Sequence, residues 1–183
     1  MLSPWTITST KIIHKTPWIE LVEDTCVVGD KPTTYTYTRR VDSGPVIVPM
    51  ADDGSIWLVR QYRHPIKKII WQLPVEGTIT GESWEQTAAR GLQEELQMTA
   101  RELLDVGEFH PDPGGLEQSY HLFIARGLSA IDPEAHVEHV EHEKLEKQAF
   151  TRAEIDELIS SGEICDNWTL AGLYLLDRYL AGR

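Results

Sequence analysis

Cysteine is scarce: Cys26 and Cys165 are the only two, and no C-x-x-C pair occurs. A disulfide framework and a cysteine-rich zinc module are therefore excluded, and a reducing compartment, the cytoplasm, is the expected setting. No apolar run approaches the roughly 18 residues that a membrane-spanning helix needs. The opening segment, MLSPWTITSTKIIHKTPW, lacks the basic and apolar regions of a secretory signal. Positive charge is scarce too, with 17 Lys and Arg against 29 Asp and Glu and a formal net charge of −12. That imbalance opposes the phosphate neutralisation behind nucleic-acid binding and suits a protein that recruits cations. What is present suffices for a core: 183 residues, 41% of them hydrophobic, with six Trp, fold without disulfides or a structural metal.

Glycine and proline are scattered as turn punctuation, with no linker, repeat or low-complexity tract. The first forty residues read as antiparallel β-structure: WTITSTKIIH, WIELVEDTCVV and TTYTYTRRV, with a Gly29-Asp30-Lys31-Pro32 turn between the last two. Residues 45–50 and 55–62 read as a hairpin around Asp52-Asp53-Gly54, and 69–75 as a third strand. Ser83 followed by Gln86 predicts a capping box, and Ala88, Ala89, Leu92 and Leu96 recur at helical spacing. Strand patterns return at 103–110 and 119–126, around the turn-rich Pro111-Asp112-Pro113-Gly114-Gly115. A charged, His-rich stretch, 132–147, precedes a short strand near Ala149 and two helices, the second capped by Asp166. Strands interleaved with helices make a mixed α/β or α+β chain.

The first of these helices carries chemistry. Residues 87, 91, 94, 95 and 98 share one side of a regular helix, so Glu94 and Glu95 project together one turn beyond Gly91. Arg90 lies four residues before Glu94, within pairing distance, and Glu82 marks the loop feeding the helix. Clustered carboxylates suit Mg²⁺ or Mn²⁺; equally, glutamates on a solvated helix face are common.

The wider pattern decides between these. The stretch WQLPVEGTITGESWEQTAARGLQEELQ resembles the Nudix signature, Gx5Ex7REUxEExGU with U aliphatic: Glu82 is the Glu after x5, Arg90 the Arg, Leu92 the first U and Glu94-Glu95 the paired glutamates. Three positions depart from it. Glu76 stands in place of the first Gly, with Gly77 just after it, Gly91 in place of the Glu after Arg, and Gln97 in place of the last Gly, with Met98 at the last U. Upstream LVRQYRHP, downstream PDPGGLEQSYHLFIAR with Pro113 sixteen residues after Gln97, and the acidic EHEKLEKQAF resemble the branch that splits ADP-ribose and nucleotide sugars.

The resemblance implies an α+β fold, an α/β/α sandwich around a mixed sheet over residues 45–183, preceded by an N-terminal antiparallel β section over 1–44. It implies metal-dependent hydrolysis of a nucleoside diphosphate-linked small molecule, with Mg²⁺ or Mn²⁺ as cofactor. Glu94, Glu95, Glu82 and the carbonyl of Val75 are then the metal ligands, and Arg90 orients the carboxylates. Glu143 is the general base, with Glu141 the alternative. Arg63, Pro113 and Trp18 are the substrate contacts, and the N-terminal section exchanges between the subunits of a homodimer. The missing carboxylate at Gly91 motivates a second expectation, an impaired domain that binds a nucleotide ligand or a protein; Glu76, next to the loop, is a candidate for the missing charge.

Other patterns carry less. His136, His139 and His142 recur every third residue, but on a helix the first and last point about 120° apart, and a solvated charged loop is the plainer reading. Asp42-Ser43-Gly44-Pro45 reads as a turn. The acidity is localised: residues 76–95 hold five acids and one base, and 132–147 six acids and two bases, so 36 positions carry −8 of the −12.

Overall fold

The computed structural model describes residues 4–40, 43–131 and 145–182. The strands are β1 (Thr6–Lys15), β2 (Ile19–Val28), β3 (Lys31–Arg40), β4 (Pro45–Pro49), β5 (Ile56–Arg63), β6 (Lys68–Gln72), β7 (Met98–Phe109), β8 (Leu116–Glu117), β9 (Tyr120–Ala130) and β10 (Glu146–Phe150). The helices are α1 (Trp84–Gly91), which runs on into a π-helical turn at Leu92–Leu96, α2 (Arg152–Ser161) and α3 (Asn167–Leu180). No described helix is long and apolar enough to cross a membrane. The chain divides into two compact units, Met1–Ser43 with His110–Ser119, and Gly44–Phe109 with Tyr120–Arg183.

The first unit is a four-stranded sheet in the order β1-β2-β3-β8. β1, β2 and β3 form the expected antiparallel meander, with alternating Thr and Tyr on β3 suited to a pleated, half-exposed surface. β2 buries Glu20, Val22, Asp24 and Cys26 on one face. Its two acids are matched: Glu20 pairs with Lys15 at 2.7 Å and Arg39 at 3.3 Å, and Asp24 accepts from the Thr10 hydroxyl at 2.6 Å. β8 adds in parallel to β3, and Tyr35 donates to the Gly114 carbonyl at 2.6 Å. The Pro113 loop thus groups with the meander, which a division of the chain at residue 44 does not foresee.

The second unit contains two three-stranded sheets, β10-β5-β6 and β4-β9-β7. Here the structure corrects the expected hairpin. The 52–54 turn closes, with the Ala51 amide donating to the Ser55 carbonyl at 2.9 Å, but a single bridge, Met50 to Ile56, is all the pairing between its arms. β4 instead pairs in parallel with β9, and β5 with β6 and β10. β4 is buried at every position, and a strand apolar on both faces belongs inside a layered sheet rather than in a two-strand ribbon. The expected third strand also stops early, at Gln72, because Pro74 has no amide to donate; Val75 keeps only a bridge to Val46.

Period-2 alternation sends neighbouring side chains of β4 and β5 into different cores. Val46, Val48 and Leu58 join Leu73, Leu122, Ile155 and Leu173 in a cluster that takes in α2 and α3. Ile47 and Val59 join Ala88, Leu92, Leu96 and Phe123 under α1. Helices on both faces of β-structure make the α+β sandwich of the sequence reading. Ser83 and Gln86 form the predicted capping box of α1, and Asp166 caps α3 by accepting from the Thr169 amide at 2.9 Å. The helical run ends at Gln97, which adopts the left-handed conformation (φ 57°) that a glycine takes most easily.

Candidate active site

All of the site that follows lies in the second unit. Arg90, on the last turn of α1, holds it together. Its Nη2 donates to the Gly77 carbonyl at 2.5 Å and to Glu82 at 3.0 Å, and its Nε also donates to Glu82, at 3.1 Å. Its Nη1 lies 3.0 Å from Glu76 and 3.4 Å from Glu94. Burial works against the Arg90 charge, but the Glu82 hydrogen bond and the charges of Glu76 and Glu94 outweigh it and raise its pKa. Glu82 also accepts from the Thr87 hydroxyl at 3.0 Å and the Ile79 amide at 3.3 Å. The bond from Arg90, with help from Thr87 and Ile79, pulls the Glu82 carboxyl down to about 2.

Glu94 and Glu95 fall in the π-helical turn, a distortion that frequently marks functional sites. The regular wheel does not extend as far as expected, since Met98 already begins β7. The Glu95 Oε2 atom is buried and has no hydrogen-bond partner. Burial, reinforced by the charge of Glu76, pushes the Glu95 carboxyl up to about 8, against the pull of Arg63 and of a backbone hydrogen bond at Val75. Arg63, at the end of β5, donates through Nε to Gln72 at 2.7 Å. Its charge also bears on Asp166, whose carboxyl burial pushes up and whose Oδ2 is buried without a partner.

Glu76 is the residue for which the spacing gave no direction. Its backbone is pinned by the Glu76 amide on the Pro45 carbonyl at 3.3 Å, and a Cβ on Gly44 would lie 1.6 Å from the Glu76 carbonyl oxygen. Its side chain lies over Gly91, where a Cβ would come within 2.8 Å of the Glu76 Cβ. Glu76 Oε1 also accepts from the Gly77 amide at 2.9 Å. Burial raises its carboxyl, opposed by Arg90. A glycine within a helix, costing about 1 kcal/mol relative to alanine, thus has a local reason: close approach by a side chain from the loop.

Of the sequence-derived candidates, Arg90, Glu82, Glu94, Glu95, Val75 and Arg63 all belong to this unit. Trp18 and Pro113, both exposed, belong to the first unit. Glu143, its alternative Glu141, and His136, His139 and His142 lie outside the described residues. Gln72 and Asp166 escaped as site residues because one read as a strand residue and the other as a helix cap.

An orphaned, buried carboxylate oxygen beside further carboxylates fits a hard divalent cation, which would supply the missing partner. As the side chains stand, no three described His, Cys, Asp or Glu residues form a ready-made cation cluster. Arg90 engages Glu76, Glu82 and Glu94.

Comparison with known proteins places the chain in a family. The model of the NUDIX domain matches residues 42–164. The ADP-ribose pyrophosphatase of Bacillus subtilis (strain 168) is 30% identical over 130 residues, 71% of this chain and 69% of that protein. The ADP-ribose pyrophosphatase of Mycobacterium tuberculosis (strain ATCC 25618 / H37Rv) is 31% identical over 140 residues, covering 74% and 65%. The methanol dehydrogenase activator of Bacillus methanolicus is 27% identical over 148 residues, 79% of each. Among solved structures, an ADP compounds hydrolase superposes with a TM-score of 0.84 at 19% identity, covering 100% of this chain and 97% of that one, which establishes the shared fold. With the family model spanning both the Arg90-braced loop and the glutamate-bearing helix, the chain belongs to the Nudix hydrolase family.

Proposed function

We propose that the protein hydrolyses the diphosphate bond of ADP-ribose or a related nucleoside diphosphate sugar, with Mg²⁺ or Mn²⁺, to a nucleoside monophosphate and a sugar phosphate. The observation that carries this reading is the buried, unpartnered Oε2 of Glu95 beside Glu94. The names of the two pyrophosphatases point to the substrate class. A bound divalent cation screens the diphosphate charge and acidifies water.

The residues then divide the work. Glu94, Glu95 and the Val75 carbonyl hold the cation. Glu82, its oxygens taken by Arg90, Thr87 and the Ile79 amide, braces Arg90 instead of coordinating, which revises its expected role. Arg90, paired with Glu76, Glu82 and Glu94, orients the carboxylates. Arg63 offers a positive group to the substrate, with Pro113 and Trp18 as further substrate contacts. Glu143, or its neighbour Glu141, takes the proton from the attacking water as the new P–O bond forms and the bridging P–O bond breaks. Both cysteines are free, as suits a cytoplasmic enzyme. A homodimer is proposed through the N-terminal strands.

The test is release of AMP from ADP-ribose, and of the monophosphate from a panel of nucleotide sugars, with and without Mg²⁺ or Mn²⁺. Metal-dependent release is expected, and Glu95→Gln should lower it about 100-fold. No monophosphate from any substrate would reject the reading. It would favour instead an impaired domain that binds its ligand intact, the alternative that Gly91 motivates.

A further inference from the structure

The two glutamate departures from the Nudix signature are complementary in space. The signature has glycine where this chain has Glu76 and glutamate where it has Gly91. The Glu76 side chain lies where a residue-91 side chain would begin: a Cβ on Gly91 would stand 2.8 Å from the Glu76 Cβ, 3.3 Å from its Cγ and 3.0 Å from Ile47 Cδ1. A side chain at 91 and the present Glu76 exclude each other, so each departure makes room for the other.

The charge is kept within the same cluster. Glu76 Oε1 is 3.0 Å from Arg90 Nη1, which also reaches Glu94 at 3.4 Å, so both carboxylates already share one positive group. The backbone beneath Glu76 is fixed against Pro45 and Gly44, which gives the side chain a defined origin. The unpartnered, buried Glu95 Oε2 is the independent sign that this cluster faces a ligand.

We propose that Glu76 and Gly91 are a transposed pair, in which the loop residue Glu76 supplies the divalent-cation ligand that the signature places on the helix. The assignment rests on the proposed reading of Glu94 and Glu95 as a cation site. On it, Gly91 is no loss of a carboxylate but the space that lets one enter from the loop.

The test is Mn²⁺ binding, by calorimetry or by the electron paramagnetic resonance signal of the free ion, at fixed pH, with folding followed by circular dichroism. The proteins are the parent, E95Q, E76Q, E76G and the double swap E76G/G91E. E76Q keeps the shape of the side chain and a polar partner for Arg90 while removing the charge. The expected result is Mn²⁺ binding by the parent, weakened about tenfold or more in E95Q and in E76Q, because charge count tunes affinity at such sites. The double swap should bind more tightly than E76G, approaching the parent. Loss in E95Q with E76Q within twofold of the parent would overturn the assignment and leave the cation site standing. No binding by the folded parent would overturn both.

Discussion

Glu95 is ordinary in sequence and unusual in place. A carboxyl pushed up to about 8 by burial, with one oxygen lacking a partner, resists ionisation unless a positive group arrives. The sign follows from linkage: a folded-state pKa above the unfolded value favours the protonated folded protein. The stability contribution is present below the unfolded value near 4.5 and is lost as pH rises through about 8. The cation-free protein should therefore lose on the order of a few kcal/mol between pH 5 and pH 9 from this group, read as a fall in urea midpoint. Glu95→Gln should flatten that slope, and Mn²⁺ should oppose it in the parent. A slope unchanged by Glu95→Gln would contradict the assignment of the shift to this carboxyl. Glu82 works the other way: depressed to about 2, it contributes above 4.5 and fails only in acid. The two carboxylates sit near the same helix, and spacing alone cannot tell them apart. Their contacts can, since Glu82 is saturated by Arg90, Thr87 and Ile79 while Glu95 keeps an unmatched oxygen.

At the scale of the element, α1 shows how local and tertiary forces part company. Its start was legible in Ser83 and Gln86, because a capping box is closed within four residues. Its end was not: the change to a π-helical turn, and Gln97 in the left-handed region, accompany packing of Leu92 and Leu96 beneath the sheet. Helix propensity predicts that Gly91→Ala stabilises by about 1 kcal/mol. The structure predicts the reverse, because the new methyl group would meet the Glu76 Cβ at 2.8 Å and Ile47 Cδ1 at 3.0 Å. A loss of about 1–2 kcal/mol is expected from such overpacking, measured by denaturant midpoint. An unchanged or raised midpoint would show that the loop yields easily. The β4–β5 turn teaches the same lesson: Asp52-Asp53-Gly54 dictates a reversal, but which strands then pair depends on β9, β6 and β10, far away in sequence.

At the scale of the whole molecule, the first unit leaves apolar surface uncovered within itself. Every residue of β1 is exposed, including Ile7, Ile12 and Ile13, and Trp18 is 69% exposed. Such surface commonly marks an interface, and a second copy of the chain is the proposed cover. Light scattering coupled to size exclusion should give twice the 20.8 kDa of one chain, and Ile7→Glu with Ile12→Glu should shift the protein towards monomer. A wild-type monomer at micromolar concentration would reject the dimer. Much of this molecule was settled by sequence alone. The meander, the caps of α1 and α3 and the Arg90–Glu94 pair rest on alternation, caps and i,i+4 spacing, all of which act within a few residues. Distant approach decided the rest: that β4 lies beside β9, that the 110–119 loop groups with the meander, and that Glu76 occupies the space above Gly91. Covalent neighbourhood fixes local dihedrals and side-chain direction, whereas contact between segments distant in sequence depends on the packing of the whole, and only the folded chain displays it.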